Sequence, residues 1–261
     1  MHTGAQTSAN GWLVCRTTRP NAQLRLLAVP SAGMGAGLYH GWSAALPSWV
    51  EVWAVAAPGR EHRLSMPAPD RLIDHAEAIA AAIREWSAMP FVVFGHSMGS
   101  VVAFELARHL RDLGLPVPIQ LFVSAMRPPW LPEDQEPEHL LSSPALLEAV
   151  RRRYGGMPSE IESFPEVLEW ALNVLRADLR ALETHPFAAG APLDLPIAAL
   201  GGDADPSVSR TDLAAWAAGT TRAFSVRHFA GNHRYLESAR AEVLSHIRDV
   251  IRTVSRAPRG A

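Results

Sequence analysis

The chain has 261 residues, of which 48% are hydrophobic and 19% charged, a composition that suits one large α/β domain rather than a disordered protein. Its net charge of −2 argues against partners such as nucleic acid or anionic membranes. The single cysteine, Cys15, excludes a disulfide within the chain and a cysteine-based zinc site. No signal peptide is evident, and no apolar run approaches the roughly 18 to 20 residues that span a bilayer, so we expect a soluble, cytoplasmic protein.

Apolar, partly β-branched runs alternate with helical patterns along the chain. Strands are predicted, in chain order, at 24–30, 50–59, 91–94, 119–125, 196–202 and 223–229. Most of these runs are continuously apolar, as expected for strands that helices cover on both faces. Helices are predicted at 71–89, 98–113, 210–218 and 234–254, while the first ten residues and the tail at 255–261 should be frayed. This alternation predicts a mostly parallel, doubly wound sheet.

The interval 126–194 departs from this alternation of strands and helices, because it holds no convincing strand. It opens with the proline-rich stretch RPPWLPEDQEPEHLL and continues with helical patterns at 144–154 and 164–183. A structureless loop of about 70 residues is improbable in a compact domain, so we expect a helical insertion that covers the site as a lid. The predicted organisation is a single domain, 1–261, with a core at about 12–125 and 195–255 and a lid at about 126–194.

A serine lies between a predicted strand and a predicted helix, in the five residues GHSMG at 95–99. The pattern G-x-S-x-G in this context is typical of a nucleophile elbow. The turn forces Ser97 into a strained backbone conformation and presents its hydroxyl at the C-terminal edge of the sheet, and such strain usually marks function. The neighbouring His96 should point its side chain away from the serine oxygen.

A serine hydroxyl becomes a good nucleophile only when a base takes its proton, and in this architecture the base comes last in chain order. His233 follows the last predicted strand and is predicted to be that base, because its competitor His228 lies inside the strand pattern. Asp205, in GGDADP, is predicted to orient the imidazole, with Asp203 as its competitor. Ordinary surface or core positions are expected for His40, His62, His75, His109, His139 and His185.

An oxyanion hole needs two backbone N–H groups that point at the developing charge. Met98, the residue after the nucleophile, is predicted to supply one of them. The glycine-rich loop VPSAGMGAG follows the first predicted strand, and Ala32 is predicted to supply the other, with Ser31 as the alternative. The loop is not a phosphate-binding loop of the G-x-x-x-x-G-K-[ST] type, because the chain contains no lysine.

Several longer motifs occur in a characteristic order, namely PSAGMG (30–35), APGREHRL (57–64), FGHSMG (94–99), SAMRPP (124–129), YGGMP (154–158), GGDADP (201–206) and GNHRYL (231–236). Together they resemble the stand-alone (type II) thioesterases of polyketide synthases and nonribosomal peptide synthetases, over about residues 24–251. The resemblance implies an α/β-hydrolase fold with a helical lid and a Ser/His/Asp triad. It also implies removal of acyl groups from the phosphopantetheine arm of carrier domains, which clears stalled or wrongly primed synthases.

The resemblance further implies that acyl or peptidyl carrier domains are the partners and that phosphopantetheine belongs to them, so that the chain itself needs no metal or other cofactor. A monomer is expected. Two positions depart from the usual family pattern: Met34 follows Ala32-Gly33, and Asn232 precedes the base. The first departure leaves the identity of the oxyanion donor open.

Two other functions share parts of this pattern. A general serine esterase acting on free oxygen esters would carry the same triad, whereas a hydrolase-fold binding protein would usually lack one of its members. Chain-terminating release is less expected, because it generally belongs to a fused domain and no carrier domain precedes Met1. The basic cluster RRRYGG at 151–156 predicts either a docking surface for an acidic carrier domain or a solvated helix face. Trp130, Trp170 and Phe187 either line an acyl channel or pack the lid.

Overall fold

The structure, a computed structural model, describes residues 5–86, 89–132 and 136–256 and centres on one sheet. Its strands in chain order are β1 (Gln6–Thr7), β2 (Leu13–Cys15), β3 (Leu24–Val29), β4 (Val50–Val55), β5 (Phe91–His96), β6 (Leu121–Ser124), β7 (Ile197–Gly202) and β8 (Phe224–Phe229). Their spatial order is β1-β2-β4-β3-β5-β6-β7-β8. Strands β3 to β8 pair in parallel, and only β2 runs against its neighbours β1 and β4.

Helices cover both faces of this sheet. In chain order they are α1 (Trp42–Ala45), α2 (Leu72–Ile83), α3 (Met98–Asp112), α4 (Ser143–Tyr154), α5 (Ser159–Glu162), α6 (Pro165–Glu183), α7 (Arg210–Ala214), α8 (Tyr235–Ser238) and α9 (Arg240–Arg256). Apolar residues of α2 and α3 form one core with one face of the strands, and those of α1, α8 and α9 form a second core on the other face. In the three described ranges no helix has both the length and the apolarity needed to cross a bilayer. The predicted α/β class and doubly wound sheet are confirmed.

The differences from the predicted elements lie mainly at chain ends and element boundaries. No pattern in the sequence predicts β1 or β2, and the expected fraying of the first ten residues is wrong for Gln6–Thr7, which pairs with β2. The predicted strand at 50–59 ends at Val55, and the predicted helix at 234–254 is interrupted between α8 and α9. Residues 87–88, near the end of the helix predicted at 71–89, and most of the tail predicted to be frayed lie outside the described residues.

Helices α4, α5 and α6 occupy the interval between β6 and β7, where a helical insertion was expected. These helices have a small apolar core of their own, formed by Leu146, Val150, Leu172, Leu175 and Leu179, against which Ala32 also packs. The exact division into a core and a lid at 126–194 stays a prediction.

Two of the aromatic residues that follow β6 pack into the main core. The Trp130 ring lies 5.5 Å from Phe104, 5.2 Å from Trp216 and 5.7 Å from Phe187, measured between ring centroids. This aromatic cluster joins the start and the end of the insertion to helix α3. Trp130 and Phe187 therefore serve packing.

Two glycines allow α3 to begin directly where β5 ends. A Cβ atom on Gly95 would lie 2.1 Å from the carbonyl oxygen of Gly99 and 2.6 Å from the Cα of Ser100. A Cβ atom on Gly99 would lie 2.3 Å from the carbonyl oxygen of Val29. Because these neighbours are backbone atoms, they cannot swing aside. The first turn of α3 is thus pressed against the ends of both β3 and β5.

Replacing Gly95 by alanine is expected to destabilise the fold strongly, because the new methyl group would overlap the backbone of α3. We expect Gly95→Ala to lower the free energy of unfolding by about 3 kcal/mol, measured by urea denaturation. The matched control is Gly190→Ala, whose Cβ would meet only the terminal atoms of the Arg108 side chain and no backbone, and it should change stability by less than about 0.5 kcal/mol. Equal stabilities of the two variants would contradict this account.

Candidate active site

Ser97 occupies the sharp turn between β5 and α3. Its backbone angles are φ 52° and ψ −126°, a conformation that residues with a side chain seldom adopt. Its N–H donates to the carbonyl oxygen of Ser124 at 2.7 Å, which ties the turn to the end of β6. The turn therefore presents Ser97 at the carboxyl end of the parallel strands, as the sequence analysis expects.

His233 and Asp205 are hydrogen-bonded to each other. The distance from His233 Nδ1 to Asp205 Oδ2 is 2.9 Å, and the Asp205 side chain is only 1% exposed. The other carboxylate oxygen accepts the N–H of Ser207 at 2.8 Å, which fixes the orientation of Asp205. Such an arrangement holds an imidazole in the tautomer that has its proton on Nδ1.

The loop that carries Asp205 lies directly against the loop that carries His233. A Cβ on Gly202 would lie 2.4 Å from the carbonyl oxygen of Gly231, so only glycine allows this approach. Asp203, the competing carboxylate, uses its side chain to accept the N–H of Gly231 at 3.0 Å and so joins the two loops. The structure thus brings Asp205 to His233 and gives Asp203 the loop-capping position.

The competing histidine, His228, is part of β8, and its Nδ1 lies 3.3 Å from a guanidinium nitrogen of Arg210. Burial and the adjacent Arg210 lower the pKa of His228. The structure does not bring this side chain to Ser97. His185, which was expected to be an ordinary histidine, instead lies on the wall of the cavity described next.

A cavity of about 580 Å³ lies between the carboxyl edge of the sheet and helices α4 to α6. Ser97 and His233 both lie on its wall, together with Ala32 and Met34. Within the described part of the chain no hydrogen bond joins the Ser97 hydroxyl to the His233 imidazole. Bonds between a nucleophile and its base are often long before substrate binds and shorten in the complex.

The two predicted oxyanion donors belong to neighbouring segments. The Met98 amide is the first of α3, and Ala32 lies in the turn that the Met34 N–H closes onto the Ser31 carbonyl oxygen at 3.1 Å. In the described ranges neither the Met98 amide nor the Ala32 amide donates to a protein acceptor, whereas the Gly33 amide donates to Asp178 at 2.7 Å. The catalytic roles of the five predicted residues, Ser97, His233, Asp205, Met98 and Ala32, stay predictions.

His96 lies in a buried chain of hydrogen bonds behind the site. Its Nδ1 is 2.7 Å from the Ser124 hydroxyl, which is 2.5 Å from the Tyr235 hydroxyl, and its ring centroid lies 5.5 Å from that of His233. Burial lowers the pKa of His96 well below its ordinary value, and the nearby His233 lowers it further. A neutral His96 therefore links the elbow to the loop that carries the predicted base.

Tyr154, at the end of α4, covers His233 from the insertion side. The two ring centroids lie 4.9 Å apart, and the Tyr154 hydroxyl donates to Glu138 at 2.9 Å. Burial and the Glu138 carboxylate raise the pKa of this hydroxyl far above its usual value. Tyr154 is the first residue of the family motif YGGMP, and the sequence alone does not indicate its contact with His233.

The basic cluster at 151–156 is divided between interior and surface. Arg153 donates to the buried Glu138 at 2.9 Å, whereas Arg151 pairs with Glu162 at 2.6 Å near the surface. Arg152 is exposed. The cluster as a docking surface stays a prediction.

The mostly parallel sheet, with a serine on the strained turn after β5, defines the chain as an α/β-hydrolase. Comparison with known proteins defines it further. The family model described as thioesterase domain matches residues 24–251. The chain therefore belongs to the thioesterase family, whose members are serine hydrolases that act on thioesters, and the family predicted from the motifs is confirmed.

Individual relatives are similar over nearly their full lengths. The gramicidin S biosynthesis protein GrsT of Aneurinibacillus migulanus is 32% identical over 248 residues, which are 95% of this chain and 96% of that protein. The structure of the thioesterase RedJ from the prodiginine pathway of Streptomyces coelicolor has a TM-score of 0.83 and 37% identity, covering 89% of this chain and 92% of that one. The type II thioesterase BorB from the borrelidin cluster has a TM-score of 0.81 and 33% identity, covering 95% and 98%.

The depressed pKa of His96 predicts a stability loss in acid. The unfolded chain takes up a proton at this residue near pH 6.5, whereas the folded chain does not, so stability is complete above about pH 6.5 and falls below it by about 1.4 kcal/mol per pH unit. Urea unfolding of wild type and His96→Gln should show that the decline from pH 7.5 to 5.5 is about 1.4 kcal/mol smaller in the variant. Parallel declines would show that His96 is protonated in the folded protein as well.

Proposed function

We propose that this protein hydrolyses acyl thioesters from the phosphopantetheine arm of acyl or peptidyl carrier domains, and so clears stalled or wrongly primed modular synthases. The observation that carries the proposal is that His233, which is hydrogen-bonded to Asp205, lies on the wall of the same cavity as the strained Ser97. The relatives named for gramicidin S, prodiginine and borrelidin biosynthesis support this class of substrate.

In the first half of the proposed reaction, Ser97 Oγ attacks the thioester carbonyl carbon while His233 Nε2 accepts the hydroxyl proton. Asp205 keeps the Nδ1–H of the imidazole directed toward itself and stabilises the imidazolium that forms. The carboxylate does not take the proton. The tetrahedral intermediate then collapses, the C–S bond breaks, and the His233 imidazolium gives its proton to the departing pantetheine sulfur. A thiol with a pKa near ~8.5 is a good leaving group, so this step needs little help from the acid.

Negative charge develops on the carbonyl oxygen during this attack, and the amides of Met98 and Ala32 are the proposed donors to it. Donors that are already in place cost no reorganisation when the charge forms, so their effect on the barrier is large. The Met98 amide lies in the first turn of α3, where the partial positive charge of the helix N-terminus adds to the stabilisation.

In the second half, the neutral His233 takes a proton from a water molecule that attacks the Ser97 acyl ester. The C–O bond to Ser97 then breaks, Ser97 Oγ receives the proton from His233, and the free acid leaves. Apolar side chains of the insertion, among them Val150, Leu175 and Leu179, line the cavity and suit an acyl chain. The proposed chemistry uses no metal or other cofactor, and the phosphopantetheine arrives with the substrate. A cytoplasmic location and a monomeric state, both expected from the sequence, stay predictions.

The two carboxylates near His233 provide a matched pair of variants. Asp205→Asn should lower kcat by about 10⁴-fold, because the amide cannot hold the Nδ1–H tautomer. Asp203→Asn keeps an oxygen that accepts the Gly231 N–H, so its kcat should stay within about threefold of wild type. If both variants fold and Asp203→Asn loses more activity than Asp205→Asn, then Asp203 and not Asp205 holds the triad position.

The substrate class is tested with an acyl group presented either on a carrier domain as a thioester or in a matched free oxygen ester. We expect kcat/KM to be at least about 10²-fold higher for the carrier thioester, because the thiol is the better leaving group and the carrier adds binding energy away from the reacting bond. Ser97→Ala should abolish both activities. Faster turnover of the oxygen ester would identify a general esterase instead.

A further inference from the structure

A buried ion pair connects the helical insertion to the sheet. Arg60 donates from its two terminal nitrogens to the two carboxylate oxygens of Asp178, at 2.5 and 2.8 Å. Arg60 follows β4 and is 4% exposed, whereas Asp178 belongs to α6 and is 1% exposed. Arg60 lies in APGREHRL, a motif whose role the proposed reaction leaves unexplained.

The same two side chains also hold the glycine-rich loop after β3. Asp178 Oδ2 accepts the N–H of Gly33 at 2.7 Å, and Arg60 donates to the carbonyl oxygen of Met34 at 3.1 Å. Both anchors lie directly after Ala32, the proposed oxyanion donor. The loop is therefore attached at two consecutive residues to a pair that spans the core and the insertion.

The next residue of the motif adds a third anchor. Glu61 Oε1 accepts the N–H of Gly37 at 2.7 Å, and Glu61 has a φ of 50°, in the left-handed region that favours glycine. Gly33 has a φ of 74°, and a Cβ there would lie 3.5 Å from the Leu175 side chain on α6. Adjacent residues of one motif thus hold the loop at its middle and at its C-terminal end, and α6 packs against it.

Charge neutralisation gives the pair a second effect on this loop. A lone buried carboxylate beside Gly33 would oppose negative charge that develops near Ala32, because electrostatic interactions are strong in a buried environment. The guanidinium of Arg60 is bidentate on Asp178 and cancels that charge at short range. Asp178 can then act as a hydrogen-bond acceptor for the loop without raising the barrier to reaction.

We propose that Arg60 and Asp178 form a positioning pair that places the Ala32 N–H for the oxyanion, so that full activity requires α6 to be docked on the loop. This inference rests on the proposed function, because it assumes that Ala32 donates to the reacting carbonyl. Neither residue belongs to the described lining of the cavity, and both act through the loop.

The test separates loop placement from stability by replacing both charges at once. A buried ion pair that is exchanged for apolar residues of similar size generally leaves a protein as stable as before, whereas loss of one partner does not. The variant Arg60→Met/Asp178→Leu should therefore stay folded, with a melting temperature lowered by no more than about 8 °C, because the Gly33 N–H and the Met34 carbonyl lose their partners. Its kcat on a carrier thioester should fall about 100-fold while KM changes less than about threefold, as for loss of one oxyanion donor.

A second double variant restores only the acceptor. In Arg60→Met/Asp178→Asn the amide oxygen can again accept the Gly33 N–H, and the site is still uncharged. We expect its kcat to be about tenfold higher than that of the leucine variant. A purely structural role for the pair would instead leave the two double variants with equal kcat.

A control comes from another ion pair between α6 and the core. Arg180 on α6 lies 3.6 Å from Asp70, both side chains are more than half exposed, and neither is hydrogen-bonded to the glycine-rich loop within the described residues. Arg180→Ala/Asp70→Ala should leave kcat within about twofold of wild type. An equal loss in this control would overturn the proposal, because the effect would then reflect general docking of α6.

The proposal is also overturned if the folded Arg60→Met/Asp178→Leu variant keeps kcat within about threefold of wild type. Should that variant fail to fold, the exposed Glu61 tests the same loop: Glu61→Ala should lower kcat about fivefold and Glu61→Gln should not. A kcat equal to that of wild type in Glu61→Ala would then overturn the proposal. Ser97→Ala is assayed in parallel to separate failure of the positioning pair from failure of the proposed function. Full activity in Ser97→Ala would contradict the proposed function itself.

Discussion

The strained backbone at Ser97 is the constraint on which the rest of the site depends. A parallel strand and a helix meet there without a loop. The turn is held because the end of β6 accepts the Ser97 N–H, and because the glycines at 95 and 99 have no Cβ that would push the strand and the helix apart. One conformation thereby presents a hydroxyl above the sheet and leaves the Met98 amide at the start of α3 without a protein acceptor in the described ranges. Strain of this kind costs about 1–3 kcal/mol, which the surrounding packing must offset.

Around that turn the site is assembled from segments that are distant in sequence and joined by short, buried polar contacts. Asp203 joins the loops after β7 and β8, Asp205 is hydrogen-bonded to His233, and His96 at the elbow is hydrogen-bonded to Ser124 at the end of β6. On the other side, the Arg60–Asp178 pair holds the glycine-rich loop to α6. Because buried polar groups are costly when they lose a partner, each of these contacts strongly favours one arrangement of the loops.

Much of the fold could be predicted because its signals are local. Most of the strands β3 to β8 are largely apolar runs, and the elbow is a five-residue pattern in a strand–helix context. The strands β1 and β2 have two and three residues, too short for any periodicity to show. They form because β2 pairs along the edge of β4 and β1 pairs with β2. The contacts of Tyr154 and Asp178 could not be predicted either, since a tyrosine at the end of a helical pattern and an aspartate within one carry no signal of what they contact.

The sequence by itself determined the family, the order of the elements and the strained turn, because glycine spacing and apolar runs act through sterics over a few residues. Only the tertiary structure decided which of two aspartates reaches His233, and that Arg60 meets a carboxylate 118 positions away. Those outcomes depend on how strands and helices pack against one another. A side chain's partner across such a distance follows from the geometry of the whole fold, and no spacing along the chain encodes it.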